Sequence, residues 1–331
     1  MKSYALSLLA AALLLLGSCK KEADVIDCIE PSVSALATLI AKHEVPVQQF
    51  SILPGTSSNI KTAAGYQIYV PADLVRIDGG RLSTSPVQVQ VREITNRGEM
   101  IFTHTPTASG RRLLESGGMF NITFKQDNQP LQLSSNSSLI VLTTAPRNLS
   151  TSEGMRLFMA QPDSVNSQQV GSWTSLPVQA QDTTTRIFTQ TTTPGTPASG
   201  SWVRLSFGVY NYNLQGLNWI NCDRFVTATP TTVVRVTIDK PAVNNSNTRT
   251  FLVFNTLNSV LMPNLNYVSG DVFHEYGVPV GYSITAVVLH HDGNQLYFGK
   301  QTATIAANQQ FRPTLRAITE EELVSEIEAL K

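Results

Sequence analysis

The sequence predicts a mainly β protein with two antiparallel β-sandwich domains, a short N-terminal helix and a C-terminal helix. Three observations support this fold class. Apolar and polar residues alternate with a period of two in many short segments, turn residues separate these segments, and no helical periodicity lies between them. Strands that follow one another without helical crossovers pair in antiparallel sheets, so the pattern excludes a parallel α/β sheet.

The strand pattern is clearest at residues 87–92, where valines alternate with polar residues and therefore share one face. Other segments with strand character are residues 67–70, 120–124, 138–143, 156–159, 203–207, 232–238, 251–254 and 284–289. Turn residues separate them at 78–80, 127–130 and 292–294. The last of these turns predicts a hairpin between Leu289 and Leu296.

Two helices are predicted outside the strand-rich region. The first follows Pro31, a residue favoured in the first turn, and ends before Pro46. Its apolar face contains Val33, Leu36, Leu39 and Ile40. At the other end of the chain, Thr319 and Glu322 have the spacing of a capping box, which predicts a helix start there.

Charge and composition exclude one class of function. The 331 residues carry 24 Lys+Arg and 24 Asp+Glu, so the formal net charge is zero. Charged residues make up 15% of the chain, against about 25% in an average soluble protein. A nucleic-acid partner is not expected, because neutralising phosphates requires a surplus of clustered Lys and Arg.

The first residues have the pattern of a signal peptide. Lys2 is followed by an apolar run over residues 5–16, shorter than the roughly 20 residues of a membrane-spanning helix. The run ends in Leu16-Gly17-Ser18-Cys19, which resembles the lipobox of bacterial lipoproteins. The resemblance implies cleavage before Cys19.

Each lipobox residue has an implied role. Leu16 fills an apolar pocket of the signal peptidase, Gly17 and Ser18 are small enough to pass its active site, and the Cys19 thiol becomes diacylated. A diacylglyceryl Cys19 would anchor the chain stably, because two or more acyl chains bind a membrane more firmly than one. The alternative is an ordinary secretory signal with an incidental cysteine.

The tether after Cys19 bears on location. In bacterial lipoproteins, an Asp directly after the lipidated cysteine retains the protein in the inner membrane, so its absence after Cys19 favours the outer membrane. The segment that begins Lys20-Lys21-Glu22 either resembles a surface-export signal or is simply a solvated tether. The periplasmic face and the cell surface both stay open. So does the state of Cys28 and Cys222, which either form a disulfide or leave Cys222 as a buried free thiol.

These patterns divide the chain into five predicted parts. The Thr-, Pro-, Ser- and Gly-rich stretch 191–200 predicts a flexible loop between the two sandwiches. The parts are a signal peptide (1–18), a lipidated tether with a short helix (19–45), the first sandwich (46–200), the second sandwich (201–318) and a C-terminal helix (319–331).

Scattered motifs extend the lipoprotein resemblance. They lie at residues 49–52, 65–72, 87–94, 99–101, 114–120, 155–158 and 217–225. Together they resemble uncharacterised surface or outer-membrane lipoproteins of Bacteroidetes-type Gram-negative bacteria, and residues 65–91 are similar to a ZU5-like β-sandwich. The resemblance implies a fold and a location, but no catalytic or ligand-binding residues.

Two dipeptides within these motifs have simple structural interpretations. Gly117-Gly118 precedes a strand, which is typical of a β-bulge or a close backbone approach. Asp223-Arg224 follows an apolar strand and predicts a local ion pair rather than a ligand clamp.

No standard catalytic or metal-binding signature is present. The chain lacks His-Glu-x-x-His, Cys-x-x-Cys, a Gly-rich phosphate loop and Gly-x-Ser-x-Gly. His290 and His291 point to opposite faces of a strand, so His290-His291-Asp292 predicts a solvated hairpin tip rather than a metal site. Asp271, His274 and Glu275 are a weaker candidate for a cation site. We therefore expect no metal, no cofactor and no catalytic residues.

The best candidate for ligand binding is a set of aromatic residues. Tyr210, Tyr212 and Trp219 surround an Asn-rich segment and could stack on sugar rings. The alternative is that these aromatic rings belong to the core.

Three functions remain open at this point. The first is a lipid-anchored, non-enzymatic structural or interaction protein of the cell envelope, with envelope proteins or glycans as partners. The second is a surface glycan-binding lipoprotein, which requires Tyr210, Tyr212 or Trp219 on an exposed face. The third is a hydrolase, which requires two carboxylates close together in a groove.

Overall fold

The predicted mainly β architecture, with antiparallel sheets and a helix near each end, is confirmed by a computed structural model. The structure describes residues 34–135, 137–144, 149–150, 153–162, 170–175, 178–182, 187–190, 202–206, 209–214, 216–217, 219–265 and 272–331. Residues from Ser34 to Lys331 form one compact unit. None of the helices described is both long enough and apolar enough to cross a membrane.

Three helices and twenty-five strands occupy the described residues. The helices are α1 (Ala35–Lys42), α2 (Arg97–Phe102) and α3 (Glu320–Glu328). The strands up to residue 225 are β1 (Gln48–Ile52), β2 (Ser58–Lys61), β3 (Gln67–Val70), β4 (Leu74–Arg76), β5 (Val87–Ile94), β6 (Ala108–Ser109), β7 (Arg112–Gln126), β8 (Gln129–Leu133), β9 (Leu139–Thr144), β10 (Arg156–Pro162), β11 (Val170–Ser175), β12 (Val178–Asp182), β13 (Ile187–Gln190), β14 (Trp202–Ser206), β15 (Val209–Leu214) and β16 (Trp219–Phe225). The later strands are β17 (Thr231–Thr237), β18 (Thr248–Phe254), β19 (Val260–Leu261), β20 (Asn264–Leu265), β21 (Val272–Pro279), β22 (Ser283–His291), β23 (Leu296–Thr304), β24 (Gln310–Phe311) and β25 (Arg316–Ala317).

The described strands form four sheets. The first sheet has the order β1-β5-β7-β16-β10-β11, with β4, β6 and β8 beside it, and the second has the order β12-β13-β14-β15-β9-β3-β2. The third sheet is β20-β21-β17-β24, and the fourth is β19-β18-β22-β23-β25. Described strand pairs are antiparallel except β17 and β24, which run parallel.

The first and second sheets enclose one hydrophobic core. The alternation in β5 has the predicted effect, because Val87, Val89 and Val91 are fully buried while Gln88 is exposed. Across the core, Tyr212 of β15 packs edge-on against Phe120 of β7, with 5.2 Å between ring centroids. These two sheets are the first sandwich.

The third and fourth sheets enclose a second core. Val234 and Val236 of β17 and Leu252 and Phe254 of β18 belong to one buried cluster. The predicted hairpin joins β22 to β23, with His291 opposite Leu296. These two sheets are the second sandwich.

A third core lies between the two sandwiches. It combines the outward residues of the first sheet with residues of the fourth sheet and of all three described helices. Phe158 of β10 and Phe251 of β18 belong to it, together with Leu36 of α1, Ile101 of α2 and Leu323 of α3. The first and fourth sheets therefore bury side chains on both faces.

The division between the sheets differs from the predicted domain boundary at residue 201. Strands β14 and β15 extend the second sheet through β9, and β16 lies between β7 and β10 in the first sheet. The change from one sandwich to the other therefore falls after Phe225. The physical reason is that Tyr210, Tyr212 and Leu214 of β15 fill the first core.

The helix ends follow capping rules. Helix α1 is capped by Ser34, whose side chain accepts the Ala37 N–H, so Ala35 is its first residue; Pro31 and the predicted face residue Val33 lie outside the described residues. Helix α3 has the predicted capping box of Thr319 and Glu322. Helix α2 was not predicted, although Asn96 and Glu99 form the same kind of capping box.

Helices α1 and α3 are joined by charged groups. The Lys42 Nζ and the His43 Nε2 each lie 2.6 Å from Oε1 of Glu320. The Lys42 ammonium, through this hydrogen bond, lowers the pKa of the Glu320 carboxyl. The first and last described helices thus contact each other in the layer between the sandwiches.

The docking of α3 can be tested by truncating a buried side chain. Leu323 is fully buried in the central core, so Leu323→Ala should lower the free energy of unfolding by about 2–5 kcal/mol. Urea unfolding measures the change. Ser325 is exposed on the same helix, so Ser325→Ala should change stability by less than about 0.5 kcal/mol. Equal effects of the two substitutions would contradict the docking.

Candidate functional site

Two motifs singled out in the sequence meet in the structure. Residues 114–121 on β7 pair with residues 219–225 on β16, although about one hundred residues separate the two segments. The register shifts between Asn221 and Asp223, which confirms the β-bulge expected at Gly117-Gly118. We call the polar groups around this bulge the junction cluster: Glu115, Ser116, Ser150, Asn221, Asp223, Arg224, Asn258 and Ser259.

Both glycines of the bulge are required by their surroundings. A Cβ on Gly117 would lie 2.8 Å from the Cys222 carbonyl oxygen. Gly118 has a φ of +120°, and a Cβ there would lie 2.9 Å from the Tyr66 hydroxyl oxygen. The absence of side chains therefore allows β7 and β16 to approach Tyr66 and each other closely.

An ion pair between the buried Glu115 and the half-buried Arg224 lies at one end of the junction cluster. The Arg224 guanidinium donates to Glu115 Oε2 through Nε at 2.7 Å. Ser150 donates to the same carboxylate through its N–H at 2.8 Å and its hydroxyl at 2.6 Å. The expected local ion pair of Asp223 with Arg224 is wrong, because neighbouring strand residues point to opposite faces and the partner of Arg224 is Glu115.

Asp223 is the unusual group of the junction cluster. Its side chain is fully buried, and its Oδ2 accepts a hydrogen bond of 2.5 Å from Asn221 Nδ2. Among the described residues its Oδ1 has no hydrogen-bond partner. Burial raises the pKa of Asp223 well above its usual range, which favours the protonated carboxyl.

The junction cluster also joins the two sandwiches. Asn258, in the loop after β18, donates through Nδ2 to the Ser116 carbonyl at 2.9 Å and to the Thr95 carbonyl at 3.1 Å. Ser259 donates to the Leu114 carbonyl at 2.6 Å. The junction cluster therefore gives buried backbone groups of β7 hydrogen-bond partners from the second sandwich.

The chemistry of the junction cluster is that of a structural site. The carboxylate of Glu115 is neutralised by Arg224, and Asp223 is inaccessible to a substrate because it is fully buried. Burial likewise raises the pKa of the Cys222 thiol, which keeps it protonated and unreactive. These groups do not form the pair of carboxylates in a groove that the hydrolase hypothesis requires.

The structure places the two tyrosines of the aromatic candidate in the core, which is the alternative given above. Tyr210 and Tyr212 are each 1% exposed because they fill the first core, and burial raises the pKa of both hydroxyls. Trp219 is half-buried and packs against the central core. The three rings therefore do not share an exposed face on which a sugar could stack.

The structure also places most of the residues considered as metal ligands. The turn at Asp292 forms as expected, but His290 is buried, and one of its ring nitrogens lies 2.8 Å from the Thr248 hydroxyl. This hairpin end is therefore not fully solvated. His274 and Glu275 lie on β21, while Asp271 is outside the described residues. Within the described ranges, no group of three His, Cys, Asp or Glu residues could hold a metal ion.

The remaining predicted residues are only partly covered by the structure. Cys222 is a buried free cysteine. Cys28, Cys19 and the lipobox residues Leu16, Gly17 and Ser18 lie outside the described residues.

A groove that the sequence analysis missed lies on the second sandwich. It has a volume of about 760 Å³ and lies between the end of β17 and the segment that follows β24. Its charged lining residues are Arg235, Asp239, Lys240 and Arg312. We call it the cationic groove. No local motif marks it, because Arg235 and Arg312 are brought together by the parallel pairing of β17 with β24.

Comparisons with known proteins do not identify the chain. No protein-family model matches it, and a search of the curated proteins finds no match. The resemblance to envelope lipoproteins and to a ZU5-like sandwich therefore stays a prediction.

The raised pKa of Asp223 predicts that the stability of the protein depends on pH. Its folded-state pKa lies above that of an unfolded Asp, so the unfolded chain loses the proton first as the pH rises. The free energy of unfolding therefore falls as the pH rises from about 4, the pKa of Asp223 in the unfolded chain, towards its higher pKa in the folded protein. Asp223→Asn should raise stability near neutral pH and have little effect near pH 4.

Urea unfolding at these two pH values measures the difference. Asp239 is exposed, so Asp239→Asn is the matched control and should change stability little at either pH. Destabilisation by Asp223→Asn near neutral pH would show that the folded state requires the charged carboxylate.

The bulge makes a separate prediction. Gly117→Ala should lower the free energy of unfolding by about 1–3 kcal/mol, because the added Cβ meets backbone that cannot move without separating β7 from β16. Gly55→Ala is a suitable comparison, since nothing lies within 4 Å of its Cβ position. Gly55→Ala should lower the free energy of unfolding only through the strain of an alanine at the positive φ of this position. A Gly117→Ala variant as stable as the parent would contradict the close approach.

Proposed function

We propose that this protein is a lipid-anchored lipoprotein of the outer membrane with a structural or interaction role in the cell envelope. The observation that carries the proposal is the run of residues 5–16 followed by Leu16-Gly17-Ser18-Cys19. A short apolar run, two small residues and a cysteine are the types that lipoprotein processing requires at these positions. The diacylglyceryl group on Cys19 is the proposed contact with the membrane.

The arrangement of the described polar groups supports a role without catalysis. The buried carboxylates of the junction cluster serve pairing and hydrogen bonding, which leaves them unsuited to acid–base chemistry on a substrate. Burial of Tyr210 and Tyr212 removes the observation that favoured a stacked sugar. We therefore propose neither the hydrolase nor the aromatic sugar platform.

The compact folded unit supports an interaction role. It begins at Ser34, 15 positions after Cys19 (34 − 19). The first and fourth sheets are covered on both faces, so the second and third sheets supply its open sheet faces. Partners of the envelope, proteins or glycans, are proposed to meet these surfaces. The ZU5-like character of the first sandwich is part of the same proposal.

The anchor can be tested in cells. Cys19→Ala should abolish labelling by a fatty-acid analogue and move the protein from the membrane fraction to the soluble fraction, because the acylated thiol is lost. Cys28→Ala changes a cysteine in the same tether and should leave both labelling and fractionation unchanged. Membrane retention and labelling of the Cys19→Ala variant would overturn the proposal.

A further inference from the structure

We propose that the cationic groove of the second sandwich binds an acidic polysaccharide through its carboxylate or sulfate groups. Arg235, Lys240 and Arg312 supply three positive charges, against one negative charge on Asp239. In a chain with no net charge and few charged residues, this is a local excess. The inference goes beyond the proposed membrane anchor and does not depend on acylation of Cys19.

The two arginines of the groove keep their hydrogen-bonding capacity for a ligand. Some arginines on the described surface pair with carboxylates, such as Arg76 with Asp78 and Arg92 with Glu44, and these guanidinium groups are already occupied. Within the described residues, neither Arg235 nor Arg312 forms an ion pair. A guanidinium presents a planar fork of N–H groups that matches a carboxylate or a sulfate.

The fold holds the groove open. Strand β24 pairs with β17 only at residues 310 and 311, and the chain then crosses from the third sheet to β25 of the fourth. Gly299 of β23 permits this crossing, because a Cβ there would lie 2.8 Å from the Thr314 carbonyl oxygen. The Arg312 N–H donates to Gln301 Oε1 at 2.7 Å, which fixes the start of the crossing segment.

The lining favours a carbohydrate over a peptide. Thr237, Gln310 and Thr314 also line the groove, and their hydroxyl and amide groups can form hydrogen bonds with sugar hydroxyls. An extended peptide would need a free strand edge, but β24 has only two residues and Pro313 follows it without an N–H group. The volume of about 760 Å³ is within the range of ligand-binding clefts.

The test uses the full chain, purified in detergent, and measures binding by calorimetry at about 0.15 M salt, where long-range attraction is screened. The probes are heparin and polygalacturonate as acidic polysaccharides, pullulan as a neutral one, and poly-glutamate as an acidic peptide. The variant Arg235→Gln/Arg312→Gln removes two charges from the groove. The control Lys61→Gln/Lys125→Gln removes two exposed charges from the first sandwich.

We expect at least one acidic polysaccharide to bind, pullulan not to bind, and the groove variant to weaken binding by about tenfold or more. The control should stay within about twofold of the parent. Failure of both acidic polysaccharides to bind, or equal losses in the two variants, would overturn the proposal. Tighter binding of poly-glutamate that depends on the groove would assign the site to an acidic peptide instead. Because the assay needs no membrane, a negative result leaves the anchor test unaffected.

Discussion

Strand β7 is the element on which the rest of the structure depends. Its 15 residues, Arg112–Gln126, contribute to all three hydrophobic cores. Leu113 belongs to the core of the second sandwich, Leu114 and Met119 to the central core, and Phe120 to the core of the first. A strand of ordinary length could not do this, since strands usually span about five or six residues. Displacing β7 would therefore loosen both sandwiches and the helical layer together.

The bulge in β7 sets the direction of these contacts. Side chains alternate faces along a regular strand, and an extra residue in the β7–β16 pair reverses which face is presented beyond it. Backbone groups left without ladder partners at such a site must be satisfied by other donors and acceptors. Here the amide of Asn258 and the hydroxyl of Ser259 supply them from the second sandwich. The irregularity in the sheet and the link between the sandwiches are therefore one feature.

Local signals in the sequence predicted where strands and helices lie better than they predicted which of these elements contact each other. The period of two at residues 87–92 and the capping box at Thr319 depend on neighbours in the chain, and the structure has both elements. The capping box at Asn96 was equally visible, but the helix it starts has only six residues and lacks a clear periodicity. Tyr210 and Tyr212 were ambiguous because alternation does not tell which face is covered. Arg235 and Arg312 are 77 positions apart (312 − 235), and only the tertiary fold brings them to one groove.

Helix α1 determines which contacts a mechanical pull on the N-terminal side of the folded unit would load first. Leu36 and Ile40 of this helix are buried in the core between the sandwiches, and Lys42 and His43 contact Glu320 of α3. A pull on the chain ahead of Ser34 therefore acts on the middle of the folded unit rather than on an edge strand. Force applied there would first strain the α1–α3 contacts and the packing of Leu36 and Ile40 in the central core. The first contacts to resist such a pull are therefore those of helix packing, even though most of the described secondary structure is β-strand.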